Sequence, residues 1–232
     1  MTSGVNGYVL AGGKSSRMGR DKALLELAGK PLILRAVEKL QRVGMDVYVL
    51  SNRPELGAYA PLVRDLHKGC GPLGGVEAAL FHSTKAWNLF MAVDMPFLPS
   101  GFLSAWMRMV VGQVSARVAM FTVEGRPQPA LCLLHKDVAP YVFGAVKRGE
   151  FRLLLALEAA AKELAVQQGV GLERVLLNLP WDEEETALFC KDGTGWTPTE
   201  AQQVMRYLWF ANLNTPQELA AVEGFAGALE VD

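Results

Sequence analysis

The sequence predicts an α/β protein, a Rossmann-like three-layer αβα fold with a mostly parallel sheet. Short apolar runs typical of buried strands alternate with segments whose apolar residues recur at helical spacing. Prolines and glycines stand where these helical segments begin and end. Because strands that alternate with helices are joined by right-handed crossovers, we expect one sheet with helices on both faces.

Apolar runs bounded by turn residues give the predicted strands. They are 8–10, 46–50, 62–64, 87–93, 118–123, 130–134 and 208–213. The first four end at Leu10, Leu50, Arg64 and Val93. Since parallel strands deliver their carboxyl ends to one edge of a sheet, we expect the loops after these residues to meet there.

Helical spacing and end signals give the predicted helices. They are 31–43, 72–80, 100–111, 141–148, 151–168 and a last helix that starts at Pro216. Pro31 and Pro72 suit the first position of a helix, and Thr215 is placed to cap the last one. The region 169–207 has no clear pattern, and we expect its acidic run 182–185 to be a solvated loop or helix start rather than a metal site.

The composition narrows the class of protein. The chain has 232 residues, 50% of them hydrophobic, and a net charge of −1, which suits one domain with a substantial core and gives no support for nucleic-acid binding. No membrane-spanning run or signal peptide is evident, so we expect no membrane association and a cytoplasmic location. Cys70, Cys132 and Cys190 are odd in number and far apart, which argues against a disulfide framework.

The stretch from Val9 to Leu25 has the chemistry of a polyphosphate site. Gly12 and Gly13 follow the first strand, where the backbone can approach a ligand because no Cβ intrudes. Three cations, Lys14, Arg17 and Lys22, follow within a few residues. Glycine turns and surface cations are common separately, but their concentration in one loop favours phosphate binding. No Gly-Lys-Ser/Thr closes the loop, so it is not a Walker A motif.

Asp94 is the acidic residue best placed to face this loop. It directly follows the strongest predicted strand, 87–93. A carboxylate beside phosphates is the ligand that Mg²⁺ requires, with water and phosphate oxygens completing the coordination. The alternative is an aspartate that caps the turn before Pro96.

A dinucleotide-binding motif is a competing interpretation. Gly69-x-Gly71-x-x-Gly74 matches the Gly-x-Gly-x-x-Gly pattern, and Asp94 follows Gly74 at the distance of an acid that binds the NAD ribose. The segment 66–68 separates these glycines from the preceding strand, whereas the fingerprint begins directly at a strand end. A dehydrogenase would also leave the earlier glycine-rich loop unexplained.

The chain carries four motifs in close succession, namely Leu10-Ala11-Gly12-Gly13, Ser16-Arg17-Met18-Gly19, Asp21-Lys22 and Gly29-Lys30-Pro31-Leu32. Together they resemble the motifs of nucleotidyltransferases of the sugar-nucleotide pyrophosphorylase type, and among them the molybdenum cofactor guanylyltransferases. The resemblance implies a fold of the nucleotide-diphospho-sugar transferase type, in a single nucleotidyltransferase domain over residues 1–232 with an elaborated segment at about 151–208. It implies transfer of GMP from GTP to (molybdenum-)molybdopterin, forming the guanine dinucleotide cofactor and releasing pyrophosphate.

The resemblance also assigns site residues. Asp94-Met95-Pro96 resembles the metal-binding Asp-x-Pro of these transferases, which makes Asp94 the expected Mg²⁺ ligand. The segment 71–75 resembles Gly-Pro-Leu-Ala-Gly with Gly74 in place of alanine, and Asp65 before it is an expected contact to the base or ribose. The expected catalytic residues are Arg17, Lys22 and Asp94. The expected substrate-binding and cofactor-binding residues are Leu10, Ala11, Gly12, Gly13, Lys22, Asp65, Gly71, Asp94, Asn212 and Asn214.

Three functions remain open at this point. GTP and molybdopterin are the expected substrates, and proteins of the molybdenum cofactor pathway or of molybdoenzyme maturation are candidate partners. A second candidate is a related transferase with another base or acceptor, such as a molybdopterin cytidylyltransferase or a sugar- or polyol-phosphate nucleotidyltransferase. A third is a non-catalytic nucleotide-binding protein. The segment 71–75 favours the first, and Arg17, Lys22 and Asp94 together argue against the third.

Overall fold

A computed structural model describes residues 4–12, 21–181 and 196–229. Its strands are β1 Val5–Leu10, β2 Glu26–Leu27, β3 Lys30–Pro31, β4 Asp46–Leu50, β5 Leu62–Val63, β6 Trp87–Ala92, β7 Val118–Val123, β8 Arg126–His135 and β9 Leu176–Trp181. Within these ranges the main sheet has the order β5-β4-β1-β6-β8-β7-β9, and β2 and β3 form a small separate hairpin. Every pairing in the main sheet is parallel except those of β8, which runs antiparallel to both of its neighbours.

Helices cover both faces of this sheet. They are α1 Leu32–Arg42, α2 Gly71–His82, α3 Ser100–Val111, α4 Ala139–Lys147, α5 Leu153–Gln168, α6 Leu172–Val175, α7 Glu200–Val204 and α8 Pro216–Val222. One core joins α1, α3 and the C-terminal segment to the sheet around Trp106, Phe121 and Trp209. The other joins α2, α4 and α5 to the opposite face around Tyr8 and Phe90. This arrangement confirms the predicted three-layer α/β fold.

The predicted strand 208–213 is wrong. Arg206–Leu208 form a 3₁₀ helix, and residues 211–214 belong to no regular element. Trp209 and Phe210 are buried because they pack with Phe102 and Trp181 in an aromatic cluster rather than pairing in the sheet. A short apolar run has no periodicity that separates a strand from a buried coil, which explains the error.

The region 169–207 contains an edge strand that its sequence pattern did not predict. β9 pairs in parallel with β7 from Val118↔Leu176 to Val123↔Trp181. The acidic run 182–185 lies outside the described residues. The predicted cap of α8 is present, since the Thr215 hydroxyl accepts a hydrogen bond from the Glu218 N–H at 3.1 Å. None of the helices in the described ranges is long and apolar enough to cross a membrane.

Candidate active site

The loops after the parallel strands meet at one edge of the sheet, as the sequence predicts. Beyond the ends of the strands, the Val93 N–H donates to the Leu10 carbonyl and the Ala11 N–H donates to the Leu50 carbonyl, both at 3.2 Å. These bonds join the loops after β1, β4 and β6 along the edge. Leu10, Ala11 and Gly12, three of the expected substrate-binding residues, therefore lie at the centre of this edge.

Lys22 and Asp94 form an ion pair at this edge. Lys22 begins a short 3₁₀ helix, Lys22–Leu24, which Asp21 caps by accepting the Ala23 N–H at 3.0 Å. The Lys22 Nζ contacts the Asp94 Oδ2 and donates to the Asn214 Oδ1 at 2.7 Å. Three distant parts of the chain thus contribute side chains to one charged cluster.

Asp94 presents an oxygen that fits a divalent metal ion. The residue is 8% exposed, and its Oδ1 is buried with no hydrogen-bond partner among the described residues. A buried carboxylate oxygen without a donor is unfavourable, and a hard cation would satisfy it. No group of three or more possible protein ligands occurs within the described ranges. A metal at Asp94 would therefore draw its other ligands from phosphate and water, or from the rest of the chain.

The C-terminal segment contacts both members of the Lys22–Asp94 pair. The Leu213 N–H donates to the Asp94 carbonyl at 3.1 Å, which ties this segment to the turn after β6. The Asn214 side chain is exposed, and its Nδ2 donates to the Asn212 carbonyl at 3.0 Å. Asn214 therefore lies beside the Lys22–Asp94 pair, and Asn212 lies two residues before it on the same segment.

Arg53 joins the two described ends of the glycine-rich loop. Its Nη2 donates to the Ala11 carbonyl at 2.9 Å, and its Nη1 forms an ion pair with Asp21. Burial lowers the pKa of the Arg53 guanidinium from its usual value. Arg53 is not among the predicted site residues, because nothing in the sequence shows that its guanidinium meets the Ala11 carbonyl. Gly13 and Arg17, two other predicted site residues, lie outside the described residues.

Asp65 lies farther along the edge, after β5. Its Oδ2 accepts from the Asn52 Nδ2 at 2.7 Å, and its N–H donates to the Asn52 Oδ1 at 3.1 Å. Gly71 begins α2 with a φ of +59°, which favours glycine. A Cβ at Gly74 would approach the Cys70 Cβ to 2.9 Å, so an alanine there would require Cys70 or the start of α2 to shift.

The strand order contradicts the dinucleotide-binding interpretation. In that motif the acidic residue ends the strand next to the one that precedes the glycines. Here the glycines follow β5 at the sheet margin, whereas Asp94 follows β6, and β4 and β1 lie between them. Asp94 is also engaged by Lys22. The glycines 69, 71 and 74 therefore serve the start of α2 rather than an NAD site.

Comparisons with known proteins identify the family of this chain. A model of the MobA-like NTP transferase domain matches residues 7–163. The chain belongs to this family. It is 32% identical over 165 residues to proteins named molybdenum cofactor guanylyltransferase from Yersinia pestis (strain Pestoides F) and Yersinia pseudotuberculosis (serotype O:1b, strain IP 31758), with 68% of this chain and 83% of each relative covered. The protein is thus a nucleotidyltransferase, as the motifs predicted.

Solved structures of this family and of related transferases share the fold. Molybdopterin-guanine dinucleotide biosynthesis protein A from Archaeoglobus fulgidus superposes with a TM-score of 0.67 at 23% identity, covering 97% of this chain and 100% of that one. A CMP:2-keto-3-deoxy-manno-octonic acid synthetase superposes with a TM-score of 0.60 at 12% identity, covering 97% and 99%. These likenesses confirm the nucleotide-sugar transferase type of fold.

Proposed function

We propose that the protein transfers GMP from GTP to (molybdenum-)molybdopterin, forming the guanine dinucleotide cofactor and releasing pyrophosphate. The observation that carries the proposal is the convergence of Lys22, Asp94 and Asn214 at the edge of the sheet where the glycine-rich loop begins. The names of the relatives at 32% identity support GTP and molybdopterin as the substrates. Proteins that insert or receive the cofactor remain candidate partners.

The reaction requires positive charge in the site rather than a general base. The terminal phosphate of molybdopterin is already an anion when it attacks the α-phosphorus of GTP. The barrier lies in bringing negative groups together in line and in stabilising the charge of the departing pyrophosphate. Lys22 provides a point charge for these phosphates, and Arg17 is proposed to hold them in a bidentate contact. Backbone N–H groups around Gly12 and Gly13 are proposed to complete the cradle.

Asp94 is proposed to hold Mg²⁺. A divalent cation held there would neutralise part of the negative charge of the phosphates. The Asp94 Oδ1, which has no partner among the described residues, fits this role, and Oδ2 now contacts Lys22. When phosphates enter the site, Lys22 can exchange its contact with Asp94 for one with phosphate. Carboxylate and phosphate oxygens both accept hydrogen bonds from the Lys22 Nζ.

The two substrates are proposed to occupy opposite sides of this centre. Asp65 and Gly71 lie towards β5 and would contact the base or ribose of GTP, with the Asn52 side chain fixing the Asp65 carboxylate. Asn212 and Asn214 lie on the C-terminal segment and would contact molybdopterin. Amide side chains suit this task, since they donate and accept hydrogen bonds to a polar ring system.

Nucleotide protection and pyrophosphate release test the proposal together. Thermal unfolding is followed with GTP, CTP, ATP and UTP at equal concentrations, with and without molybdopterin. We expect GTP to stabilise the protein most, because a ligand stabilises only the state that binds it. Pyrophosphate release should require both GTP and molybdopterin. Release with CTP instead, or with a sugar phosphate as acceptor, would contradict the assignment and point to a sister transferase.

A further inference from the structure

Lys39 is a lysine inside the protein core, next to the candidate site. It lies in α1 and is 3% exposed, among residues that pack this helix on the sheet. Its Nζ donates to the carbonyls of Met95 and Pro96 at 3.2 and 2.7 Å. These two carbonyls directly follow Asp94, so the lysine reaches the turn that carries the proposed metal ligand.

The packing of α1 does not explain a lysine at this position. Burying an ammonium group is costly unless its donors are paired. An apolar side chain of similar length would fill the same space without that cost. What an apolar side chain lacks is the N–H donors that the carbonyls of Met95 and Pro96 accept. The contact with the turn is therefore one that lysine makes and an apolar side chain cannot make.

The turn after β6 is held from three directions. The Val93 N–H donates to the Leu10 carbonyl, which fixes the turn to β1, and the Leu213 N–H donates to the Asp94 carbonyl, which fixes it to the C-terminal segment. Lys39 supplies the third attachment, from α1. The core packing of Met95, Phe97 and Leu98 holds the side chains of this segment, whereas Lys39 holds the backbone carbonyls next to Asp94.

We propose that Lys39 is a positioning residue that sets the Asp94 carboxylate against the metal and the triphosphate. The inference rests on the proposed function, in which Asp94 holds the metal. A shift of about 1 Å at a reacting group can lower a rate by about 10². A turn that loses one attachment would therefore weaken the metal site while leaving the rest of the nucleotide site intact.

The test measures how much a metal strengthens nucleotide binding. Calorimetric titrations with GTP, or with whichever nucleoside triphosphate the wild type binds, are run in EDTA and at saturating Mg²⁺. Lys39→Met should bind the nucleotide as the wild type does in EDTA, but lose most of the gain that Mg²⁺ brings. Its kcat should fall by about tenfold or more, with a smaller change in KM. Lys39→Arg retains donors and should recover part of both losses.

Lys162→Met is the matched control, because Lys162 is exposed on α5 at the other face of the sheet. It should match the wild type in every measurement. A folded Lys39→Met protein with the full gain from Mg²⁺ and the wild-type kcat would overturn the inference. If Lys39→Met does not fold, Lys39→Gln, which keeps an amide donor, takes its place, and unfolding of both would show a purely structural role. A wild type that binds no nucleotide would refute the proposed function itself.

Discussion

Buried polar groups without hydrogen-bond partners among the described residues lie at both ends of β6. Only one of the two indicates a ligand-binding site. Near its start, both amide atoms of Asn88 are buried without a hydrogen-bond partner among the described residues, and just beyond its end the same holds for the Asp94 Oδ1. Asn88 is neutral, fully buried and paired in register with Asn6 and Leu134. Asp94 is charged and lies beside Lys22 and the exposed Asn214.

The difference shows when an unsatisfied polar group indicates a ligand. At the amino end of β6 the buried amide of Asn88 is neutral, and its burial costs stability. At the carboxyl end an ionised group is retained where loops after β1 and β6 and the C-terminal segment meet. Charge together with converging loops, rather than the missing hydrogen bond alone, marks the candidate site. Substitutions at the two ends should therefore separate effects on activity from effects on stability.

Asp94→Asn should have the largest effect on activity among these substitutions. The amide keeps the shape of the side chain but lacks the charge that binds a metal, so we expect kcat to fall by about 10²–10³. Mg²⁺-dependent pyrophosphate release measures the loss. Asp137→Asn is the control, since Asp137 accepts from the Arg117 Nε at 2.8 Å at the opposite edge of the sheet and should leave kcat unchanged. Equal activity of Asp94→Asn and the wild type would place the metal elsewhere.

Lys22→Ala should have the next largest effect on activity. Turnover should fall, whereas GTP binding should be retained. The contact of Lys22 with the phosphates is proposed to strengthen as charge develops on pyrophosphate, and losing such a contact lowers kcat by about 10². Lys85→Ala provides the matched control, because Lys85 pairs with Asp46 at 3.6 Å away from the site. Single-turnover kinetics with GTP binding measured separately would distinguish the two steps. Unchanged turnover would dismiss the role of Lys22.

The fold was predictable from sequence where patterns are local. The apolar run 87–93 and the helix-start prolines gave β6, α1 and α2 close to their observed bounds, because periodicity and chain ends depend on neighbouring residues. The shared edge followed from topology alone, which brought Leu10 and Asp94 together. Where the apolar pattern was short, at 208–213, the tertiary aromatic cluster decided the conformation instead.

The supporting contacts of the site were not predictable. Arg53 and Lys39 looked like ordinary charged residues of a loop and a helix, since most such residues are solvated. Their roles depend on which carbonyl lies opposite, Ala11 for the first and Pro96 for the second. A single sequence carries no signal for such a pairing because the partners are 42 and 57 positions apart.

Asn88→Leu should stabilise the protein without changing its activity. Removing a buried amide whose polar atoms have no partner among the described residues relieves a desolvation cost, and leucine has a similar volume, so we expect a gain of about 1 kcal/mol in the free energy of unfolding. Urea unfolding measures it. Asn88→Asp should instead destabilise the protein, because it buries a charge at the same place. A loss of stability in Asn88→Leu would show that the amide has a partner such as a buried water.

The smallest expected effect is a pH dependence of stability at the amino edge, from His135. Burial lowers the pKa of the His135 imidazole, and the Asp137 carboxylate only partly opposes this. Because the folded pKa lies below the unfolded value of about 6.5, the unfolded chain binds more protons as the pH falls. The contribution of the neutral His135 imidazole to the free energy of unfolding is therefore complete above about pH 6.5. It declines as the pH falls towards the pKa of His135 in the folded protein. Urea unfolding of the wild type and His135→Gln between about pH 8 and pH 5 should show a shallower decline in the variant, with parallel curves contradicting the role of His135.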